Sequence, residues 1–269
     1  MNDPVDTVRS TPATRTVLSK VPEATLCFWI IKIVTTGMGE IVADDFAERL
    51  GLVWTAVIMG PLTAVALVWQ FRQTRYRAWP YWTAAAMVSV FGTTVGDGPR
   101  RWLGLSFEFT SIVLGIVVLL VLAAWYATEK TVSIHSITNR RREGFYWSTV
   151  GMTFALGTAV GDLATHLGSG FIQSSAVFLA AMVVFYLAHR YLHLNGIFAF
   201  WSAYILTRPL GASMADWTWV PKPYGAGLGK DLTGAISIAV FLAVLVYMAA
   251  THNGEPRVDE PRHDETVAA

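Results

Sequence analysis

The sequence predicts an all-α membrane protein with about eight transmembrane helices arranged as four repeated helical hairpins. Apolar residues make up 54% of the 269 residues and charged residues only 14%, whereas soluble domains average about 25% charged residues. Eight apolar windows are each near the roughly 20 residues that span hydrocarbon. They cover about residues 24–43, 51–71, 79–97, 105–127, 145–163, 170–188, 196–213 and 232–250.

An internal repeat supports the same fold. Each copy has an aromatic–Trp pair, a glycine ten residues after the tryptophan, and a small residue followed by Asp at fifteen, and a Leu-Gly pair comes later. A repeat of this length indicates one supersecondary unit per copy, here about residues 21–77, 78–140, 141–195 and 196–250. The aromatic–Trp pairs are Phe28-Trp29, Tyr81-Trp82, Tyr146-Trp147 and Phe200-Trp201, and the Leu-Gly pairs begin at Leu50, Leu103, Leu167 and Leu228.

The two ends of the chain are polar. Residues 1–20 lack the apolar core of a cleaved signal peptide, and residues 251–269 are charged and contain proline, which favours disorder. Thirteen of the 20 Lys and Arg residues lie in these ends and in the loops that join hairpins. Because positive loops stay in the cytoplasm, both termini and these loops are predicted to be cytoplasmic, around a transmembrane domain at residues 21–250.

Several function classes receive no support from the sequence. The net charge of +1 gives no reason to expect nucleic acid, and the single Cys27 excludes an intramolecular disulfide. Phosphate-cradling Gly loops, nucleophile elbows and HExxH patterns are absent from the sequence, so neither enzymatic activity nor a cofactor is expected. The expected partners are membrane lipids and a divalent cation, with a homo-oligomer as a possibility left open.

The repeated aspartates are the main candidate functional residues. If the odd helices run in one direction, fifteen residues at 1.5 Å rise place each Asp roughly 22 Å beyond its tryptophan. All four would then lie at one depth, in the outer half of the membrane, where ionisable groups are costly and mark functional sites. They are Asp44, Asp97, Asp162 and Asp216.

The neighbouring residues favour a metal as the ligand. Glu40, Thr93 and Thr158 each stand one helical turn before an Asp, where Ala212 occupies the fourth copy, and His166 follows Asp162 by four. Oxygen-rich, sulfur-free ligation suits hard or borderline divalent cations, and the histidine favours Mn²⁺. The predicted metal ligands are Asp44, Asp97, Asp162, Asp216, Glu40, Thr93, Thr158 and His166.

A structural interpretation of the aspartates stays open. Asp97-Gly98-Pro99 is typical of a helix cap or turn, and a duplicated turn would repeat the same pattern without binding anything. The repeated glycines are predicted to serve helix packing rather than backbone ligation. The tryptophans are expected to be interfacial anchors or packing residues.

Two basic residues, Lys32 and Arg208, lie in the middle of predicted helices. A charge there costs at least ~2.5–3.5 kcal/mol on insertion scales, so both should be neutralised by the carboxylate cluster. They would either balance its charge or gate the site. Lys32 lies two turns before Glu40, and Arg208 lies two turns before Asp216. Arg100 and Arg101, just past Asp97, are expected to pair with acids or to reach the lipid headgroups.

Four stretches of the chain carry a resemblance to a known group. WIIKIVTTGMGEIVADDF, SIHSITNRRREGFYW, ALGTAVGDLATHLG and RPLGASMADW resemble uncharacterised bacterial repeat-containing membrane-anchored proteins. The resemblance covers roughly residues 20–250 and implies a multi-pass protein of the bacterial inner (cytoplasmic) membrane.

These observations together favour transport of a divalent metal cation, with export of Mn²⁺ as the specific expectation. One alternative is a membrane scaffold or regulatory protein in which the repeats are purely structural. A second is a transporter of a small organic cation, which the many aromatic residues would permit.

Overall fold

The computed structural model describes residues 19–168 and 170–256, and this part of the chain is helical. Five of its helices, Leu26–Leu50, Leu52–Phe71, Phe107–Glu129, Phe171–Tyr191 and Lys230–Thr251, are long and apolar enough to cross a membrane. The predictions for residues 1–18 and 257–269 lie outside the described residues. The helices are α1 (Leu26–Leu50), α2 (Leu52–Phe71), α3 (Ala78–Leu103), α4 (Phe107–Glu129), the short 3₁₀ helix Ile134–Ser136, α5 (Arg140–His166), α6 (Phe171–Tyr191), α7 (Gly196–Trp219) and α8 (Lys230–Thr251).

This order confirms an all-α fold of four repeats with about two helices each. The repeated Leu-Gly pair marks the link between the two helices of each copy. Its glycine always has a positive φ, between 65° and 87°, which is a backbone region that side chains other than glycine rarely adopt. These glycines are Gly51, Gly104, Gly168 and Gly229.

The odd-numbered helices form an inner ring. Helix α1 packs against α3 and α7, and α5 completes the ring between α3 and α7. Each even-numbered helix lies outside the ring and packs mainly on the odd helix that follows it: α2 on α3, α4 on α5, α6 on α7, and α8 on α1. Helices that are consecutive within a copy are therefore not the closest partners in space, and the packing of α8 on α1 closes the assembly.

The division between inner and outer helices explains their different compositions. The outer helices leave most of their apolar side chains uncovered, as lipid-facing helices do because hydrocarbon solvates them as well as protein does. Helices α3, α5 and α7 carry glycines, hydroxyls and charges that are buried between neighbouring helices. The polar content of these three helices also explains why their apolar windows are short.

The repeated glycines are the contact points of the inner ring. A Cβ atom built on Gly39 would overlap Ser89, and one on Gly92 would overlap Phe154. The same holds for Gly157 against Arg208 and for Gly211 against Thr36. Each contacted residue lies eight positions before the Asp of the next copy, so the ring has an approximate fourfold symmetry. Since small residues let membrane helices approach closely, the predicted packing role of these glycines is confirmed.

The aromatic–Trp pairs form a second closed ring, which we call the aromatic collar. The first aromatic residue of each copy contacts the tryptophan of the next copy, with ring centroids 5.4–6.1 Å apart, within the favourable range for aromatic pairs. Trp82, Trp147 and Trp201 are at most 5% exposed, so they are packing residues rather than interfacial anchors. The collar contacts are Phe28–Trp82, Tyr81–Trp147, Tyr146–Trp201 and Phe200–Trp29.

Candidate functional site

The four repeated aspartates lie inside the inner helices and not at their caps. Each is three to six residues before the last residue of its helix. Asp97-Gly98-Pro99, the best candidate for a cap, lies within α3, which continues to Leu103. The interpretation of the repeated aspartates as turn or cap residues is therefore wrong.

All four aspartates face one cavity at the end of the bundle opposite the collar. This cavity, which we call the vestibule, has a volume of about 310 Å³. It also contains Glu40 and His166, so it brings together six of the eight predicted ligands. Its lining residues are Glu40, Asp44, Asp97, Arg100, Arg101, Phe107, Asp162, Thr165, His166, Phe171, Asp216 and Trp219.

Two arginines of α3 pair with three of the aspartates. Of the two roles expected for these arginines, pairing with acids is the one observed. The Arg101 guanidinium lies 2.8 Å from Asp97 and 3.5 Å from Asp44. The Arg100 guanidinium lies 3.5 Å from Asp162 and 4.0 Å from Asp97. Because Arg100 and Arg101 follow Asp97 by three and four residues, they share its helical face. The positive charges of these two side chains thus lie among the carboxylates of three different helices.

The fourth aspartate has a different environment. Asp216 accepts a hydrogen bond from the indole nitrogen of Trp219 at 3.1 Å, and no cation lies within 4 Å of it in the described residues. The His166 ring stacks on Phe107, with centroids 4.5 Å apart. Asp216 is therefore the one repeated aspartate that pairs with tryptophan and not with arginine in the described residues.

Arg208 and Glu40 form the floor of the vestibule. The Arg208 guanidinium is 1% exposed and pairs with the Glu40 carboxylate. It also donates hydrogen bonds to the hydroxyls of Thr93 and Thr158 and, at 2.8 Å, to the Thr36 carbonyl. One polar group from each inner helix meets at this level, so this cluster separates the vestibule from the collar.

These contacts revise the predicted partners of the buried cations. Arg208 is neutralised by a carboxylate, as predicted, but the carboxylate belongs to Glu40 on α1 and not to Asp216. Lys32 has no carboxylate within 4 Å among the described residues. Its ammonium lies 3.9 Å from the ring centre of Phe154 and 4.2 Å from that of Tyr204. The predicted carboxylate partner of Lys32 is therefore wrong, and cation–π contacts take its place.

The predicted metal ligands are close but not assembled around one point. Within the described residues, three His, Cys, Asp or Glu side chains do not converge closely enough to hold a metal ion directly. Thr93 and Thr158 lie at the floor, where their hydroxyls accept from Arg208. The side chains in the vestibule are instead arranged as a ring of separated carboxylates with two arginines between them.

The fold and the repeat define the class of this protein. It is a multi-pass helical membrane protein built from four copies of one unit around an acidic cavity. The chain belongs to the family described as Repeat of Unknown Function (DUF347), whose model matches residues 27–76, 80–131, 145–193 and 199–253. Neither a curated protein nor a solved structure matches the chain.

Proposed function

We propose that this protein transports a cation, with the vestibule as the binding site and the inner ring as the path. The observation that carries the proposal is that Glu40 and the four repeated aspartates face one cavity. Ionisable groups inside a membrane domain are costly and mark ion or substrate pathways. A purely structural repeat would give no reason for five carboxylates to share a cavity.

The balance of charge favours a divalent cation. Five carboxylates line the vestibule, and three guanidinium groups, those of Arg100, Arg101 and Arg208, pair with four of them. If all five acids are ionised, the five carboxylates and three guanidinium groups together carry a net charge of −2. One divalent cation would neutralise this charge.

The size of the vestibule favours a hydrated ion. Six waters around a metal occupy about 180 Å³ at ~30 Å³ per water, which fits within the 310 Å³ cavity. Small divalent cations lose water reluctantly, so separated carboxylates can hold the ion through its own waters. His166 at the rim favours a transition metal, and export of Mn²⁺ is the specific activity that we propose.

The orientation follows from the positions of the basic residues. Among the described residues, the loops and helix ends at the collar end hold nine Lys and Arg residues and those at the vestibule end hold five, and the more basic end faces the cytoplasm. The vestibule then opens outside the cytoplasm, in the bacterial inner membrane. Transport requires two changes: Arg208 must release Glu40, and the collar must open.

A small organic cation is the second candidate cargo. Phe107, Phe171 and Trp219 line the vestibule, and the Arg100 guanidinium lies 4.8 Å from the centre of the Phe107 ring. A planar nitrogen cation can therefore be held there between a carboxylate and an aromatic face. Measurement of both metals and amines in cells with and without the protein distinguishes the two cargoes.

We expect loss of the vestibule carboxylates to abolish transport. Cells without the gene should differ from cells that overproduce the protein in their content of one cation, measured by mass spectrometry. Asp97→Asn and Asp162→Asn should each remove this difference. Asp45→Asn is the matched control, because Asp45 neighbours Asp44 in sequence but pairs with Arg49 at 2.7 Å outside the vestibule. An unchanged content of every metal and amine would favour a scaffold.

A further inference from the structure

The segment Ser19–Thr25, which we call the strap, crosses the collar end of the bundle before α1 begins. The Lys20 backbone N–H donates to the Ile137 carbonyl at 2.9 Å, and the Ser19 carbonyl accepts from the Tyr76 N–H at 3.1 Å. Further along, the Glu23 N–H donates to the Gly254 carbonyl at 2.9 Å. The strap is thus bonded to the α2–α3 loop, to the α4–α5 loop and to the residues that follow α8.

A buried ion pair anchors the strap. The Lys20 ammonium lies 2.6 Å from the Glu143 carboxylate, and the two side chains are 7% and 0% exposed. The Gln70 amide also donates to Glu143, at 3.1 Å. The positive-inside rule accounts for a lysine at this end of the bundle, but it does not require the lysine side chain to be buried. Burying a charge pair is costly unless its geometry is good, so this contact calls for an explanation.

The strap is connected directly to the aromatic collar. Tyr76, which bonds to Ser19, accepts a hydrogen bond on its hydroxyl from the Trp82 indole at 3.2 Å. Glu143 lies one helical turn before the collar residue Tyr146. Val21 is 2% exposed and belongs to the same apolar cluster as the collar residues. Any movement of the second or third copy that opens the collar must therefore disturb the strap.

We propose that the strap is a latch that holds the aromatic collar closed. The ion pair between Lys20 and Glu143 keeps the strap in place. Release of this pair loosens the strap from two of the loops between repeats, α2–α3 and α4–α5, and from the residues that follow α8. The aromatic rings can then separate and admit water or a cation from the collar end. The purpose of the latch rests on the proposed transport function, but its existence can be tested without any transport assay.

The test uses a cysteine placed beyond the collar. Ala85 is 2% exposed and follows the collar residue Tyr81 by one turn on α3. In the Cys27→Ser background, Ala85→Cys should react slowly with a polar maleimide in purified protein, because the collar covers it. Addition of Lys20→Met with Glu143→Gln should raise the labelling rate about tenfold or more, since losing buried hydrogen bonds weakens the strap. The double change leaves no unpaired charge, which protects folding.

The control is a Lys–Glu pair at the opposite end. Lys230 of α8 pairs with Glu48 of α1 near the vestibule, and Lys230→Met with Glu48→Gln should leave labelling of Cys at position 85 unchanged. Equal labelling in the latch variant and its parent would overturn the latch, even if the vestibule variants lose transport. Faster labelling in both variants would also overturn it, because the effect would then reflect general loosening of the bundle.

Discussion

Replacement of Arg208 by methionine should produce the largest loss of stability of any single change in the inner ring. Arg208 is the buried partner of Glu40 and bonds to groups on the three other inner helices. Removing one member of a buried ion pair costs about 3–5 kcal/mol. The expected result is a fall of roughly 10 °C in the melting temperature of the purified protein. Transport should also be lost.

A double-mutant cycle identifies the partner of Arg208. Arg208→Met with Glu40→Gln should recover part of the lost stability, because the carboxylate is no longer left uncompensated. Arg208→Met with Asp216→Asn is the control, and its losses should add, since Asp216 bonds to Trp219 instead. Additive losses in both double variants would contradict the assigned ion pair.

Substitution of Gly157 by alanine should be the next most damaging change. A Cβ atom at this position would overlap the Arg208 side chain and lie 3.2 Å from Pro209. Overpacking of this kind typically costs 1–3 kcal/mol. Because the displaced side chain is Arg208, the variant should also weaken the floor of the vestibule. Both the melting temperature and the transport activity should therefore fall.

Gly144 supplies a matched control on the same helix. A Cβ atom at Gly144 would meet nothing within 4 Å, and alanine favours the helix by up to ~1 kcal/mol over glycine. Gly144→Ala should therefore have equal or slightly higher stability than the parent. A similar loss of stability in both variants would mean that contact with Arg208 is not what makes Gly157 necessary.

The helices, the repeat and the shared depth of the aspartates could be predicted because they depend on local patterns. Apolar windows locate the helices, and a constant spacing of fifteen residues places every Asp at one level. The choice of partner helix could not be predicted in this way. Each even helix packs on the next odd helix, and this depends on how the surfaces of separate segments fit together.

The partners of the two buried cations, Lys32 and Arg208, also could not be predicted from patterns along one helix. Spacing along one helix relates Arg208 to Asp216, yet the guanidinium crosses to Glu40 on another helix. Ala212 gave a signal for this arrangement: the fourth copy lacks a polar side chain where the others have Glu40, Thr93 and Thr158. Arg208, one turn earlier, supplies the missing polar group at that level. The cation–π contacts of Lys32 had no comparable signal, because Phe154 and Tyr204 belong to different copies.

Cation movement by the purified protein in liposomes tests the central claim most directly. The protein and its Asp162→Asn and Asp45→Asn variants can be reconstituted at equal density, with a Mn²⁺-sensitive dye enclosed and labelled amines tested in parallel. We predict saturable Mn²⁺ movement by the parent and by Asp45→Asn, and none by Asp162→Asn. Undiminished Mn²⁺ movement by Asp162→Asn, or no movement of any cation by the folded parent, would contradict a transport site in the vestibule.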